Sequence, residues 1–217
     1  MPGRKPGSNK KGFSNNMGFR VTHCAILILA AGQSSRLGSP KQLLEYHGIS
    51  LVKRVAQTAL DSEIGSVTVV LGANANKIGT ELEMPDLCLI ENSDWKEGMA
   101  SSIRAGVKAI TDLEPDTDGI MILVCDQPHL ELAILKQLLQ VQRDTGLPVT
   151  ASVYEGRTGT PAVFHKSFFP LLMELKGDTG ARKLFSEYSD QVALVPFEKG
   201  IIDIDTKEDY DKLIHNK

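Results

Sequence analysis

The sequence predicts a three-layer α/β/α sandwich on a mostly parallel sheet, and three observations carry that prediction. Strand-like and helix-like segments alternate from Ala25 onward, the order that βαβ crossovers require. The clearest strand-like segments, "AILILA" at 25–30 and "GIMILV" at 119–124, are unbroken apolar runs, the pattern of strands buried on both faces. The helix-like segments between them carry one apolar face each, as helices packed on a sheet do.

The elements follow in order. Residues 1–24, rich in Gly, Lys, Asn and Ser, have almost nothing to bury and are expected to form a disordered lead-in; residues 25–217 are expected to form one domain. After "AILILA", "SLVKRVAQTAL" places Leu51, Val52, Val55, Ala56, Ala59 and Leu60 on one helical face, with Ser50 as N-cap. "SVTVVLG" reads as a strand, "NANKIGTELE" as a short helix and "LCLI" as a strand, followed by the irregular "ENSDWKEGM". "ASSIRAGVKAI" is a helix with Ile103, Val107 and Ile110 inward. After the run at 119–124, residues 130–144 read as an amphipathic helix and "PVTASVY" as a strand. "RTGTPAVF" is turn-rich and leads into a strand, and two short helices surround Gly177 and Asp178. "QVALVPF" and "GIIDID" read as strands, and "TKEDYDKLI" closes as a helix.

Composition excludes several classes. With 41% hydrophobic residues, 24% charged residues and a net charge of −3, the chain is not the basic protein that general nucleic-acid binding calls for. Its longest apolar run, at 25–31, is too short to cross a bilayer, so no membrane span is expected. Nothing in 1–24 resembles a signal peptide, and the expectation is a cytoplasmic protein. Cys24, Cys88 and Cys125 form no CxxC pair, and the five histidines show no metal-binding spacing. No Gly-x-Ser-x-Gly elbow is present, which leaves covalent hydrolase chemistry unsupported.

What remains is a set of polar loops following buried strands, where open parallel sheets bind their ligands. The first is "AAGQSSRLGSPK" at 30–41. It matches neither GxxxxGK[ST] nor GxGxxG. Gly32 permits close main-chain approach, Ser34 and Ser35 offer hydroxyls, Arg36 a planar fork and Lys41 a mobile charge, a composition suited to phosphate. Asp126 follows the strand at 119–124 and is either a ligand for Mg²⁺ or the cap of the next helix. Gln127 is placed to position a phosphate or to turn the chain. Asp203 and Asp205 share one face of an extended segment and either join Asp126 at the metal or cap the last helix. In "GMASSIRAG", Ser101 and Ser102 either meet a nucleotide or only start a helix, and Arg104 is placed to reach phosphate. Trp95 either lines a pocket or fills a gap.

Together these segments resemble the nucleotidyltransferases of the molybdenum cofactor family, the MobA-like NTP transferases. "LAAGQSSRLGSPKQLL" is similar to that family's LAAGxSxRMGxxKxLL signature, with Leu37 for its methionine. "GMASSIRAG", "DQP", "GTPAVF", "GDTGAR" and "DIDTKED" follow in the family's order. The last has Lys207 where proline is commoner. The resemblance implies a Rossmann-like nucleotidyltransferase fold and catalysis by Arg36, Lys41 and Asp126. It implies a nucleotide held by Ala30, Ala31, Gly32, Ser34, Arg36, Lys41 and Ser101, with Mg²⁺ on Asp126, Asp203 and Asp205. Thr160, Pro161, Asp178, Gly180 and Arg182 would shape the acceptor side. The sequence Leu29-Ala30-Ala31-Gly32 is similar to the cytidylyltransferase branch, which implies CTP and a phosphorylated pterin bearing molybdenum as substrates. A molybdoenzyme or its maturation chaperone is the further partner this implies. Two other readings stay open. One is a transferase of the same fold loading a sugar phosphate or another phosphorylated small molecule. The other is a non-catalytic molybdenum cofactor carrier, against which Lys41, Asp126 and the Asp203/Asp205 pair count.

Overall fold

The computed structural model describes residues 18–34, 37–202, 204 and 206–215. A seven-stranded sheet organises them. Its strands are β1 (Cys24–Leu29), β4 (Val67–Leu71), β5 (Leu87–Glu91), β6 (Gly119–Val124), β7 (Val149–Tyr154), β8 (Arg157–His165) and β9 (Val192–Pro196). The short strands β2 (Glu45–Tyr46) and β3 (Ile49–Ser50) form a separate hairpin. The helices are α1 (Leu51–Asp61), α2 (Ala75–Glu81), α3 (Met99–Leu113), α4 (Leu132–Thr145), α5 (Phe169–Met173), α6 (Arg182–Glu187) and α7 (Lys207–His215).

Strand order across the sheet is β5-β4-β1-β6-β8-β7-β9. β8 alone runs against the others. Side chains alternate across each strand, and this alternation explains the layering. Ile26, Ile28, Val67, Val69, Met121 and Leu123 face α1, α2 and α4. Ala25, Leu27, Ile120, Ile122 and Phe164 face α3, α5 and α6. The sandwich therefore has a helical layer on each face, as the unbroken apolar runs required. Each fully buried Ile or Leu in it contributes about 1.5–3 kcal/mol.

Several local expectations hold. The Ser50 hydroxyl accepts from the Lys53 N–H at 3.4 Å and caps α1. Thr206 and Asp209 cap α7 reciprocally: the Asp209 carboxylate accepts from Thr206 N–H at 2.9 Å, and the Thr206 hydroxyl accepts from Asp209 N–H at 3.2 Å.

Two expectations do not hold. Residues 18–24, assigned to a disordered lead-in, are tied down; residues 1–17 lie outside the described residues. Phe19 N–H donates to the Gly146 carbonyl at 3.0 Å, Val21 is wholly buried, and Val21 N–H donates to Gln142 Oε1 at 2.8 Å. Sequence composition averaged over the stretch hid the two residues, Val21 and Cys24, that have core positions. The "GIIDID" strand is also absent where it is described: Glu198–Ile201 is a 3₁₀ turn. Gly200 packs so tightly on Phe197 that a Cβ would lie 2.5 Å from its ring, and this contact curls the chain. Among the described residues, no helix is long and apolar enough to cross a membrane.

The topology fixes where a ligand can sit. From β1 the chain proceeds through β4 to β5 on one side, then α3 returns it to β6 on the other. The loops after β1 and β6 therefore diverge at their carboxyl ends, leaving a crevice. Leu29 and Val124 are paired in register, so Ala30–Gly32 and Cys125–Asp126 emerge side by side into it.

Candidate active site

The loop after β1 is held by a residue the sequence reading passed over. Gln42, buried on the 3₁₀ turn Lys41–Leu43, donates from Nε2 to the carbonyls of Ala30 at 3.0 Å and Gly32 at 2.8 Å. Its Oε1 accepts from the Ser34 hydroxyl at 3.3 Å, and Ser34 Oγ accepts from the Lys41 N–H at 2.9 Å. Ser34, expected to touch nucleotide, is thus a strut of the loop, with its backbone in the left-handed region at φ 57°. A Cβ built on Gly32 would meet nothing within 4 Å. That space belongs to a cavity of about 440 Å³ lined by Ala31, Gly32, Lys41, Trp95, Asp126 and Asp178, among others.

At its rim the Lys41 ammonium lies 2.5 Å from Asp126 Oδ2, both side chains one-fifth exposed. Asp126 does not cap α4, whose N-cap is Glu131. The neighbouring Cys125 thiol is pushed up by burial and by the Asp126 carboxylate, and its Sγ donates to the Leu29 carbonyl; it is an inert wall. Gln127 is buried and turns the chain, donating to the carbonyls of Thr160 and Gly200 at 3.0 and 3.1 Å.

A second cavity, of about 570 Å³, adjoins the first and shares Met99, Val124 and Asp178 with it. Thr160, Asp178, Gly180 and Arg182 line it. Thr160 reaches it because the β7–β8 register slips between Ala151 and Ser152, bulging residues 160–161 toward the carboxyl edge. Pro161 is buried behind it, its carbonyl accepting from the Ser152 hydroxyl at 2.9 Å. Asp178 does not cap α6, whose first residue follows Ala181.

The irregular stretch after β5 is ordered by Asn92, which is buried and donates to the hydroxyls of Ser101 at 2.8 Å and Ser102 at 3.1 Å. The Ser101 hydroxyl in turn donates to the carbonyls of Asp94 and Gly98. Ser101 therefore fixes the start of α3 from behind, while Ser102 and Trp95 line the first cavity. Arg104 corrects the expectation of a phosphate ligand. Its guanidinium donates to Glu97 at 3.0 and 2.6 Å and to the Leu175 carbonyl at 2.6 Å, and it lines neither cavity. The guanidinium hydrogen bonds hold the Glu97 carboxyl below its usual range. Ser35, Arg36, Asp203 and Asp205 lie outside the described residues. Ile204 between the two aspartates donates its N–H to the Asp126 carbonyl at 3.3 Å.

The donor set can be tested against a divalent cation. Among the described residues, no three His, Cys, Asp or Glu side chains converge. Mg²⁺ is commonly held by one or two carboxylates together with substrate phosphates and waters. Asp126, an oxygen donor at the rim of a cavity that also holds Lys41, fits that pattern.

Two adjoining cavities at the switch point of a parallel sheet, with a cation and a carboxylate at one rim, are the layout of a nucleotide-dependent group transferase. Residues 26–192 match the MobA-like NTP transferase domain, and the chain belongs to that family, an enzyme of the nucleotidyltransferase class. It is 31% identical over 199 residues to nicotine blue oxidoreductase of Paenarthrobacter nicotinovorans, covering 87% of this chain and 95% of that one. It is 31% identical over 195 residues to purine catabolism protein PucB of Bacillus subtilis (strain 168), covering 85% and 93%. Molybdenum cofactor cytidylyltransferase of Escherichia coli (strain K12) is 22% identical over 185 residues, covering 85% and 92%. Among solved structures, Rv0371c of Mycobacterium tuberculosis H37Rv superposes with a TM-score of 0.76 at 27% identity, covering 89% of this chain and 98% of that one. Its complex with manganese gives 0.73 at 26% identity, covering 90% and 100%.

Proposed function

We propose that the protein transfers CMP from CTP to the terminal phosphate of molybdopterin bearing molybdenum, forming molybdopterin cytosine dinucleotide and releasing pyrophosphate. The observation that carries the transfer reading is the pair of cavities meeting at Asp178 and Met99, which lets two bound molecules share one reacting boundary. The choice of CTP and pterin is supported by the Leu29-Ala30-Ala31-Gly32 loop, the six ordered blocks and the Escherichia coli cytidylyltransferase relative.

In this reaction an oxygen of the acceptor phosphate attacks the α-phosphorus of CTP, and the bond from that phosphorus to the β-phosphate bridging oxygen breaks. The acceptor phosphate is already ionised near neutral pH, its second pKa being about 6, so no protein base is needed. Catalysis is then positioning and charge neutralisation. The Gly32 main chain meets the triphosphate in the space a side chain would fill. Lys41, with Arg36, neutralises charge on the departing pyrophosphate. Arg182 meets the acceptor phosphate, with Thr160, Asp178 and Gly180 shaping its cavity. Asp126, with Asp203 or Asp205, would hold Mg²⁺, which supplies positive charge to phosphate oxygens when bound.

The test is pyrophosphate release with Mg²⁺ and each of CTP, GTP, ATP and UTP, with and without molybdenum-loaded molybdopterin. Release confined to CTP plus the pterin is the expected result. Release with another pair moves the substrate; nucleotide binding with no release under any pairing replaces transfer by carriage.

A further inference from the structure

The two cavities are walled in part by segments far apart in sequence, 95–99 and 178–182, and the chain leading into the second, 175–177, meets the start of α3. Four contacts join them. The Arg104 fork holds both Glu97 oxygens and the Leu175 carbonyl. Ala100 N–H donates to the Gly177 carbonyl at 3.0 Å. Gly98, at φ 118°, leaves the space in which a Cβ would lie 2.3 Å from Asp178 Oδ1 and 2.7 Å from the Gly177 backbone. A Cβ on Gly180 would lie 2.7 Å from Met99 Sδ.

We propose that Arg104 is a positioning residue that, with Glu97, bolts the acceptor-side loop 175–180 onto the start of α3, so that filling the nucleotide cavity sets the shape of the acceptor cavity. The inference rests on the two-substrate reading above. A surface ion pair by itself contributes little. The Arg104 contact differs because its third partner is a backbone carbonyl of the loop two residues before Gly177. A planar guanidinium can serve a carboxylate and a carbonyl at once; an ammonium has no such fork. On the other side of the same turn, Trp95 and Ser102 line the nucleotide cavity, so a ligand pressing on this turn presses on the loop.

Trp95 is the only tryptophan in the chain and therefore reports the nucleotide cavity by its fluorescence. The experiment measures CTP binding by Trp95 fluorescence, amide hydrogen exchange over 174–182, and transfer kinetics, in the full chain and in Arg104→Ala and Arg104→Lys. In the unsubstituted protein CTP slows exchange over 174–182. Arg104→Ala keeps CTP affinity within about twofold, speeds exchange there about tenfold, the scale of one lost hydrogen bond to a charged group, and no longer responds to CTP. The acceptor KM rises by a similar factor with kcat largely kept, and Arg104→Lys lies between. Glu97→Gln, which keeps the shape of the pair, shows the same direction more weakly and serves if Arg104→Ala does not fold. Unchanged exchange in the variants, or CTP protection that persists without the fork, overturns the proposal. Failure of the unsubstituted protein to bind any nucleotide instead overturns the two-substrate reading, and the exchange comparison without nucleotide still decides whether Arg104 holds the loop.

Discussion

Replacing Gln42 by Leu removes the amide that pins the loop after β1 while keeping a side chain of similar size. Three hydrogen bonds go: two donated to the carbonyls of Ala30 and Gly32 and one accepted from the Ser34 hydroxyl. The two carbonyls respond differently. Ala30 is 1% exposed and its N–H is bound to β4 through the Val70 carbonyl at 2.9 Å, so its oxygen cannot turn to water. Gly32 is exposed, so its carbonyl can rotate outward at small energetic cost, but the cradle then loses its shape. An unpaired buried carbonyl costs about 1–3 kcal/mol, and the expected loss of stability is therefore about 2 kcal/mol. With a urea slope of about 2.5 kcal/mol/M for a chain of this size, the midpoint falls by about 0.8 M. Nucleotide affinity falls about tenfold, because ordering the loop must now be supplied by the ligand. Urea unfolding followed by circular dichroism and Trp95 fluorescence titration with CTP measure the two effects. A midpoint within about 0.2 M of the unsubstituted protein together with affinity within about twofold would refute the role assigned to Gln42.

Three further outcomes are expected. Gly98→Ala must place a Cβ against Asp178 and the Gly177 backbone at a positive φ; it loses about 1–3 kcal/mol in urea unfolding and most transfer activity. Lys41→Ala, which removes the cation beside Asp126, raises the transfer barrier by about 3 kcal/mol, a fall in kcat/KM of about 100-fold in steady-state assays. Burial draws the Asp118 carboxyl upward, but the Thr22 hydroxyl and the N–H groups of His23 and Thr22 outweigh it and hold the group below its usual range. Because the folded value is the lower one, this stabilisation is complete above the unfolded value of about 3.9 and is lost as pH falls through the folded value. Urea midpoints taken downward from pH 5 should show that loss, and Asp118→Asn should flatten it.

The layers of this fold are legible in the sequence because continuous apolar runs such as 25–30 and 119–124 leave no face for water. The candidate site loops are legible for a related reason: Gly32 and Asp126 lie within two residues of the ends of such runs, while only the fold brings Lys41 beside Asp126. What stays hidden depends on contacts between residues distant in the chain. Arg104 sits at a helix start like an anion ligand, yet Glu97 folds back across the turn and Leu175 arrives from 71 residues away. Gln42 has no periodicity to betray it, since an amide facing two carbonyls looks in sequence like any surface glutamine. "GIIDID" alternates like a strand, and only the packing of Gly200 on Phe197 and Tyr154 shows why residues 198–201 curl.

The proposed reaction makes one bond, at the α-phosphorus of the nucleotide. CTP labelled at its α-phosphate, incubated with Mg²⁺ and molybdenum-loaded molybdopterin, tests that directly. The label is predicted to appear in a pterin dinucleotide whose mass exceeds the acceptor's by one CMP residue, while a γ-phosphate label leaves in pyrophosphate. Label that stays in CTP, or that emerges only as free CMP, would contradict it.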